Sequence, residues 1–178
     1  LIQARAREEL AADRDRFARE ARTDPLTGLA NRSAWEELLR LHSPRQDRYH
    51  RPISMVSADL DGLKVINDRE GHAAGDDRIR AAAEVLKLNT RAGDVVARVG
   101  GDEFLVLLAE ADQSSARRYL RRVRAAVRRT NVAQGRSPLH VSLGAATARE
   151  HEPLSETVRR ADRAMYTSKK RRASERAK

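Results

Sequence analysis

Two apolar runs joined through a glycine pair set the tightest limit on how this chain folds. Val95 to Val99 leads into Gly100-Gly101, and Phe104 to Ala109 leads out of Asp102-Glu103. Runs of this kind are strands, and the Gly-Gly step predicts a hairpin in which glycine supplies the positive φ of a tight turn. Both runs are apolar on both faces (Val95, Ala97 and Val99 against Val96; Phe104, Val106 and Leu108 against Leu105 and Leu107). That is the pattern of strands in the middle of a covered sheet. Asp102 and Glu103 are then held on a rigid element at the edge of a buried sheet. Taken alone, the same residues describe equally well a solvated turn with acids for solubility.

A second acidic segment changes that balance. Pro52 to Asp59 reads as a strand and ends in Asp59-Leu60-Asp61-Gly62-Leu63-Lys64-Val65-Ile66-Asn67-Asp68, followed by Gly71-His72-Ala73-Ala74-Gly75-Asp76. A calcium loop is excluded, because Leu63 and Lys64 stand where that loop needs a ligand and a glycine. If the two strand ends are neighbours, Asp59, Asp102 and Glu103 converge. Bare carboxylates brought together repel and tend to hold their protons. A hard divalent cation resolves this, and carboxylates with phosphate oxygens suit Mg²⁺. Such a site points to phosphoryl or nucleotidyl transfer.

Charge is distributed unevenly. The net charge is +10, yet residues 59–76 carry five acids and two bases, whereas residues 113–131 carry seven Arg and no acid. Residues 163–178 carry seven Lys or Arg and one Glu. An acidic patch between basic surfaces suits a polyphosphate. Aromatics are only 3% of the chain, too few for the stacking platform of a nucleic-acid binder. No nucleic-acid partner is therefore expected, and most of the Arg excess reads as solvated helix surface. No apolar run approaches the roughly 20 residues of a membrane span, so no direct membrane insertion is expected of this fragment. The absence of Cys fits a reducing, cytoplasmic setting. An upstream sensor or membrane anchor in a longer protein is compatible with all of this.

Residues 1–22 favour helix and form a linker with a weak coiled-coil seam at Leu10 and Phe17. Pro25 and Gly28 break that helix, and Asn31 or Ser33 caps the next, whose apolar face is Ala34, Leu38 and Leu41. Helical spacing recurs at Ile79, Ala82, Ala83 and Leu86, at Ala116, Tyr119, Leu120, Val123, Ala126 and Val127, and at Leu154, Val158, Ala161 and Met165. Leu139 to Ala145 is a further strand, with His140 a surface or core residue. Arg171 to Lys178 is expected to be a disordered basic tail. Strands and helices alternate without a regular βαβ rhythm, so the fold class is α+β, a sheet with helices packed on it.

The segments together resemble one family. Gly100-Gly101-Asp102-Glu103-Phe104 is similar to the signature of the GGDEF family of bacterial diguanylate cyclases. Asp24 to Arg32 resembles the family's DxLTGLxNR loop, in which Leu29 and Arg32 border the nucleotide. Asp59 to Asp76 resembles its DxDxFKxxND…GHxxGD segment, with Leu63 in place of Phe. Val99 stands where the family usually has Tyr. Lys169-Lys170-Arg171-Arg172-Ala173 lacks the Gly-Arg pair that usually follows the family's lysine.

The resemblance implies a mostly antiparallel five-stranded sheet, related to the polymerase palm and class III nucleotide cyclases. It divides the chain into a linker helix (1–22), a catalytic domain (23–172) and a basic tail (173–178). It implies that two GTP condense into cyclic di-GMP with release of two pyrophosphates, in a homodimer whose protomers each hold one GTP. Asp59 with Asp102 or Glu103 would hold Mg²⁺ or Mn²⁺, with the Leu60 carbonyl as a further ligand. Asp102 and Glu103 are the expected catalytic acids. Asn67 and Asp76 would read guanine, Lys64 and Lys169 would meet phosphates, and Gly100 and Gly101 would let the backbone approach them. Arg91-Ala92-Gly93-Asp94 resembles the family's RxxD inhibitory site for the product, with Arg122 or Arg121 completing it. The alternative is a non-catalytic module of the same fold that binds a nucleotide or cyclic di-GMP.

Overall fold

The computed structural model describes residues 22–42, 51–134 and 138–176. Most of the expected linker helix, at residues 1–21, lies outside the described residues. The elements in chain order are α1 (Arg32–Leu41), β1 (Ser54–Leu60), α2 (Leu63–Glu70), α3 (His72–Leu88), β2 (Val95–Arg98), β3 (Glu103–Leu108), α4 (Gln113–Gln134), β4 (Val141–Thr147) and α5 (Leu154–Arg176). The strands form one sheet in the order β2-β3-β1-β4, antiparallel at every step. The expected α+β class is found, with four strands among the described residues rather than five.

β1 is the axis of the sheet, and all seven of its residues are buried. Its alternation sends Val56, Ala58 and Leu60 into one core with Phe104, Val106, Leu108 and the apolar stripes of α3 and α4. Met55 faces the other way, into a second core with Trp35 of α1, Leu107, Leu154 and Ala161. Trp35 is thus a core residue, whereas Leu41, expected on the apolar face of α1, is 61% exposed. Asn31 caps α1, its side chain accepting from the Ala34 N–H at 3.0 Å.

The hairpin expected at the glycine pair is present but differs in its mechanics. Among the described glycines positive φ occurs at Gly28, Gly62 and Gly71, not at Gly100 or Gly101. The turn spans residues 99–102, and the Val99 and Gly100 N–H groups both donate to the Glu103 carbonyl, at 3.0 and 3.4 Å. Gly100 is instead a matter of space: a Cβ there would lie 2.4 Å from Glu103 Oε2. β3 is interior as expected, but β2 is an edge strand. Its outer edge is covered by the segment before α1, where Ala30 bridges Ala97 and the Arg98 N–H donates to the Ala30 carbonyl at 2.8 Å.

β4 is the other edge. Arg172 donates to the Val141 carbonyl at 2.6 Å and Arg160 to the Thr147 carbonyl at 2.5 Å, a charged cover of the kind that discourages edge pairing. α5 lies directly on this strand. A Cβ on Gly144 would fall 2.0 Å from the Met165 nitrogen and 2.3 Å from the Ala161 oxygen, so glycine is what allows helix and strand backbones to touch. The helix runs on to Arg176, and residues 171–176, expected as disordered tail, are helical. No described helix is long and apolar enough to cross a membrane.

Candidate active site

The strand ends that carry the two acidic segments are neighbours. Asp59 pairs in register with Glu103, and the Leu60 N–H donates to the Asp102 carbonyl at 2.9 Å, carrying the pairing one step past β3. Asp61 is anchored on the other side: its N–H donates to the His140 carbonyl at 2.9 Å, and its carboxylate accepts from Ser142 Oγ at 2.9 and 3.0 Å. Sequence reasoning left Asp61 without a role. The structure makes it the clasp between β1 and β4.

Asp59 is buried on the face covered by α5. Lys169 lies on that helix four residues beyond Met165, on the stripe that packs against the sheet. Its Nζ stands 2.5 Å from Asp59 Oδ1 and 4.0 Å from Asp61 Oδ1. Burial pushes the Asp59 carboxyl above its ordinary value. The Lys169 ion pair works against this, but the charges of Asp102 and Asp61 add to the rise, which prevails. Lys169 is also raised: its partial burial opposes the shift, and Asp59, Asp61 and Asp102 outweigh it. The excess of negative charge around one buried carboxylate is the donor chemistry a divalent cation requires. Among the described residues no three such groups meet at metal-ligand spacing. Glu103 turns its carboxylate over Gly100, while Lys169 covers Asp59.

α2 and α3 pack against each other where Asn67 and Asp76 lie. Asn67 lies on Gly75, where a Cβ would sit 1.8 Å from Asn67 Oδ1 and 3.2 Å from Leu63 Cδ1. Asn67 Oδ1 is buried and has no hydrogen-bond partner. Buried amide oxygens without partners are uncommon and call for an explanation such as a ligand group. Asp76 follows Gly75 directly and is half-buried, and Lys64 is exposed in the first turn of α2.

Arg98 is a residue to which sequence reasoning gave no role. Its guanidinium reaches Asp24 at 3.1 Å and the Gly101 carbonyl at 2.8 Å, tying the first loop to the glycine turn. Arg32 donates to the Val99 carbonyl through Nε at 2.9 Å. Burial pushes the Asp24 carboxyl up, but hydrogen bonds from Thr27 and Arg98 outweigh it and hold it below the usual carboxylate range. An Arg that ends a four-residue strand beside a glycine pair was a usable signal; its partner, 74 residues earlier, was not.

Arg91 and Asp94 form the turn before β2, at the end of that strand away from the acids. Asp94 Oδ2 accepts from the Arg91 N–H at 2.8 Å, and Oδ1 accepts from the Ala109 N–H at 3.0 Å. Asp94 therefore fastens the turn to the end of β3. Arg122 donates to the Asn89 carbonyl at 2.9 Å and stacks over Tyr119, which places it, rather than Arg121, in hydrogen-bonding contact with the segment leading to the turn.

A palm-like antiparallel sheet with acids at adjoining strand ends defines a class, and comparison with known proteins names it. Residues 21–175 match the GGDEF domain of diguanylate cyclases. The chain belongs to this family. It is 39% identical over 152 residues to the diguanylate cyclase DgcP of Pseudomonas aeruginosa, covering 84% of this chain and 23% of DgcP. It is 34% identical over 151 residues to the diguanylate cyclase DosC of Escherichia coli K12, covering 83% of this chain and 33% of DosC. The chain thus spans a quarter to a third of these relatives. The coiled coil and GGDEF domain of DgcB from Caulobacter crescentus, crystallised with c-di-GMP, superposes with a TM-score of 0.85 at 28% identity, covering 94% of this chain and 91% of that one. Family members generally use a divalent metal.

Proposed function

We propose that this chain is the catalytic domain of a diguanylate cyclase, condensing two GTP into cyclic di-GMP and two pyrophosphates. The observation that carries this reading is the junction of β1 and β3, where buried Asp59 stands in register with Glu103 and is bound through Leu60 to Asp102. Asp59, the Leu60 carbonyl and Asp102 or Glu103 would hold Mg²⁺ or Mn²⁺. A cation held there would neutralise phosphate charge and acidify the attacking hydroxyl. Each 3′-hydroxyl attacks the α-phosphorus of the other GTP, the bond to the β-phosphate oxygen breaks, and pyrophosphate leaves.

The chain's own residues supply position. Asn67 and Asp76 read guanine: a carboxylate accepts from the N1–H and N2–H₂ groups, and the orphaned Asn67 oxygen gains a donor. Lys64 and Lys169 meet phosphates. Gly101, with open space where a Cβ would stand, leaves room for them beside the turn that Arg98 and Arg32 brace. One GTP per protomer requires two facing sites, so the active species is a homodimer. Arg91, Asp94 and Arg122 form a product site at the far end of β2, from which cyclic di-GMP holds protomers in an unproductive arrangement. A reaction fed by GTP places the domain in the cytoplasm.

The test is incubation with GTP and Mg²⁺ followed by chromatography of the products, with Asp102→Ala in parallel. Cyclic di-GMP from the wild type alone supports the proposal. GTP bound but unconverted would make the chain a non-catalytic nucleotide-binding module, and equal use of ATP would remove the guanine assignment.

A further inference from the structure

Lys169 has an unusual place for a phosphate ligand. Its ammonium is spent on Asp59, an enclosed carboxylate of the site. The contact is short, at 2.5 Å, and the same nitrogen is 4.0 Å from Asp61. The two partners are not equally committed. The Asp59 side chain is 12% exposed and the Lys169 side chain 41%, so the amine reaches in from the solvent side on a flexible four-carbon stem. α5 itself is fixed, because its backbone rests on Gly144 at Ala161 and Met165. The Lys169 side chain is therefore the part of the pair able to change partners. Asp61 is held in place by the Ser142 hydroxyl, which lies 2.9 and 3.0 Å from its two oxygens.

We propose that Lys169 is the site's own counter-ion: it occupies Asp59 before a divalent cation arrives and is released to the nucleotide phosphates when one binds. An ammonium and a divalent cation compete for the Asp59 carboxylate, because each repels the other at so short a separation. Cation binding at Asp59 is therefore an exchange. Without nucleotide the exchange is unfavourable, since the displaced ammonium gains only water. With nucleotide it gains a phosphate. Cation and nucleotide then bind with positive coupling, and the coupling is reciprocal. A site built this way keeps its buried acids paired while empty and resists loading with metal alone.

The inference rests on the assignment of Asp59 as a metal ligand, and the experiment separates the two. Mn²⁺ binding without nucleotide is followed by the EPR signal of the free ion for wild type, Lys169→Met, Lys169→Arg and Asp59→Asn, with circular dichroism confirming the fold of each. Lys169→Met is expected to bind Mn²⁺ about fivefold more tightly than wild type, the scale of a half-exposed ion pair. Lys169→Arg is expected to behave as wild type. Non-hydrolysable GTP should tighten Mn²⁺ binding in the wild type and do so less in Lys169→Met. Equal or weaker binding by Lys169→Met, including no detectable binding by either protein, overturns the counter-ion role. Wild-type affinity in Asp59→Asn overturns the metal assignment itself, whatever Lys169→Met does.

Discussion

Helix α5 has an acid–base pair near each end, and the two carboxylates respond in opposite directions. At its start, Glu152 accepts from Arg160 through both oxygens and also from the Arg149 N–H and Thr157 Oγ1. The Arg160 fork dominates, burial opposes it, and the carboxyl is held at about 2. Near its other end, Asp59 also has a cationic partner, Lys169, yet burial and two neighbouring aspartates raise it. Glu152 has more donors than charge to satisfy, whereas Asp59 has more charge than donors. The first arrangement is finished and holds the helix start to the end of β4. The second is left short of positive charge, a property of sites that receive a cation.

The sharpest way to break this contrast is Asp59→Asn. Turnover is expected to fall at least about a hundredfold, as for loss of a group that stabilises transition-state charge. Stability should not fall with it. A raised carboxyl favours folding below its unfolded value of 3.8 and loses that contribution as pH rises through its folded value. At pH 7 the ionised Asp59 is thus a cost, and the variant should melt at or above the wild-type temperature. A large drop in melting temperature would place Asp59 with Glu152 among the structural acids.

Gly144→Ala attacks both ends together by forcing α5 off β4. A methyl 2.0 Å from the Met165 nitrogen cannot be accommodated by a side-chain rotation. Loss of about 3 kcal/mol is expected, at the high end for overpacking, read by urea denaturation. Activity should fall as well, because Lys169 moves with the helix.

Glu152→Gln should cost about 1.5–3 kcal/mol at pH 7, the range for hydrogen bonds to a charged group. The lowered carboxyl gives stability that is complete above 4.5 and lost as pH falls through about 2. The difference between variant and wild type should therefore shrink in acid and vanish near the lower value. A difference that does not change with pH would show that the fork, not the charge, holds the helix start.

Asp94 tests whether one acid can belong to both kinds. It is tied to two backbone N–H groups and is also proposed to bind product. Asp94→Ala should lose about 1 kcal/mol of stability together with product inhibition. Arg91→Ala should lose inhibition while stability stays within about 0.5 kcal/mol. Inhibition by cyclic di-GMP that persists in Arg91→Ala would make this turn structural only.

The sequence by itself determined the α+β class, the hairpin, the stripes of α3, α4 and α5, and the two acidic segments. These are legible because each is local: strand alternation, helical spacing and turn chemistry are written within a dozen residues. Other features lay beyond that range. Asp24 meets Arg98 across 74 residues, and Asp59 meets Lys169 across 110. Neither pair has a local signature, and Arg and Lys abound in this chain, so composition could not choose the partner. The glycines were legible as punctuation but not as causes. Gly144 and Gly75 are required by what packs against them, and a close approach exists only once helix and strand have been brought together. Which acids end up satisfied and which stay hungry for charge was decided there too, because burial and the count of donors around a carboxylate are properties of the packed chain.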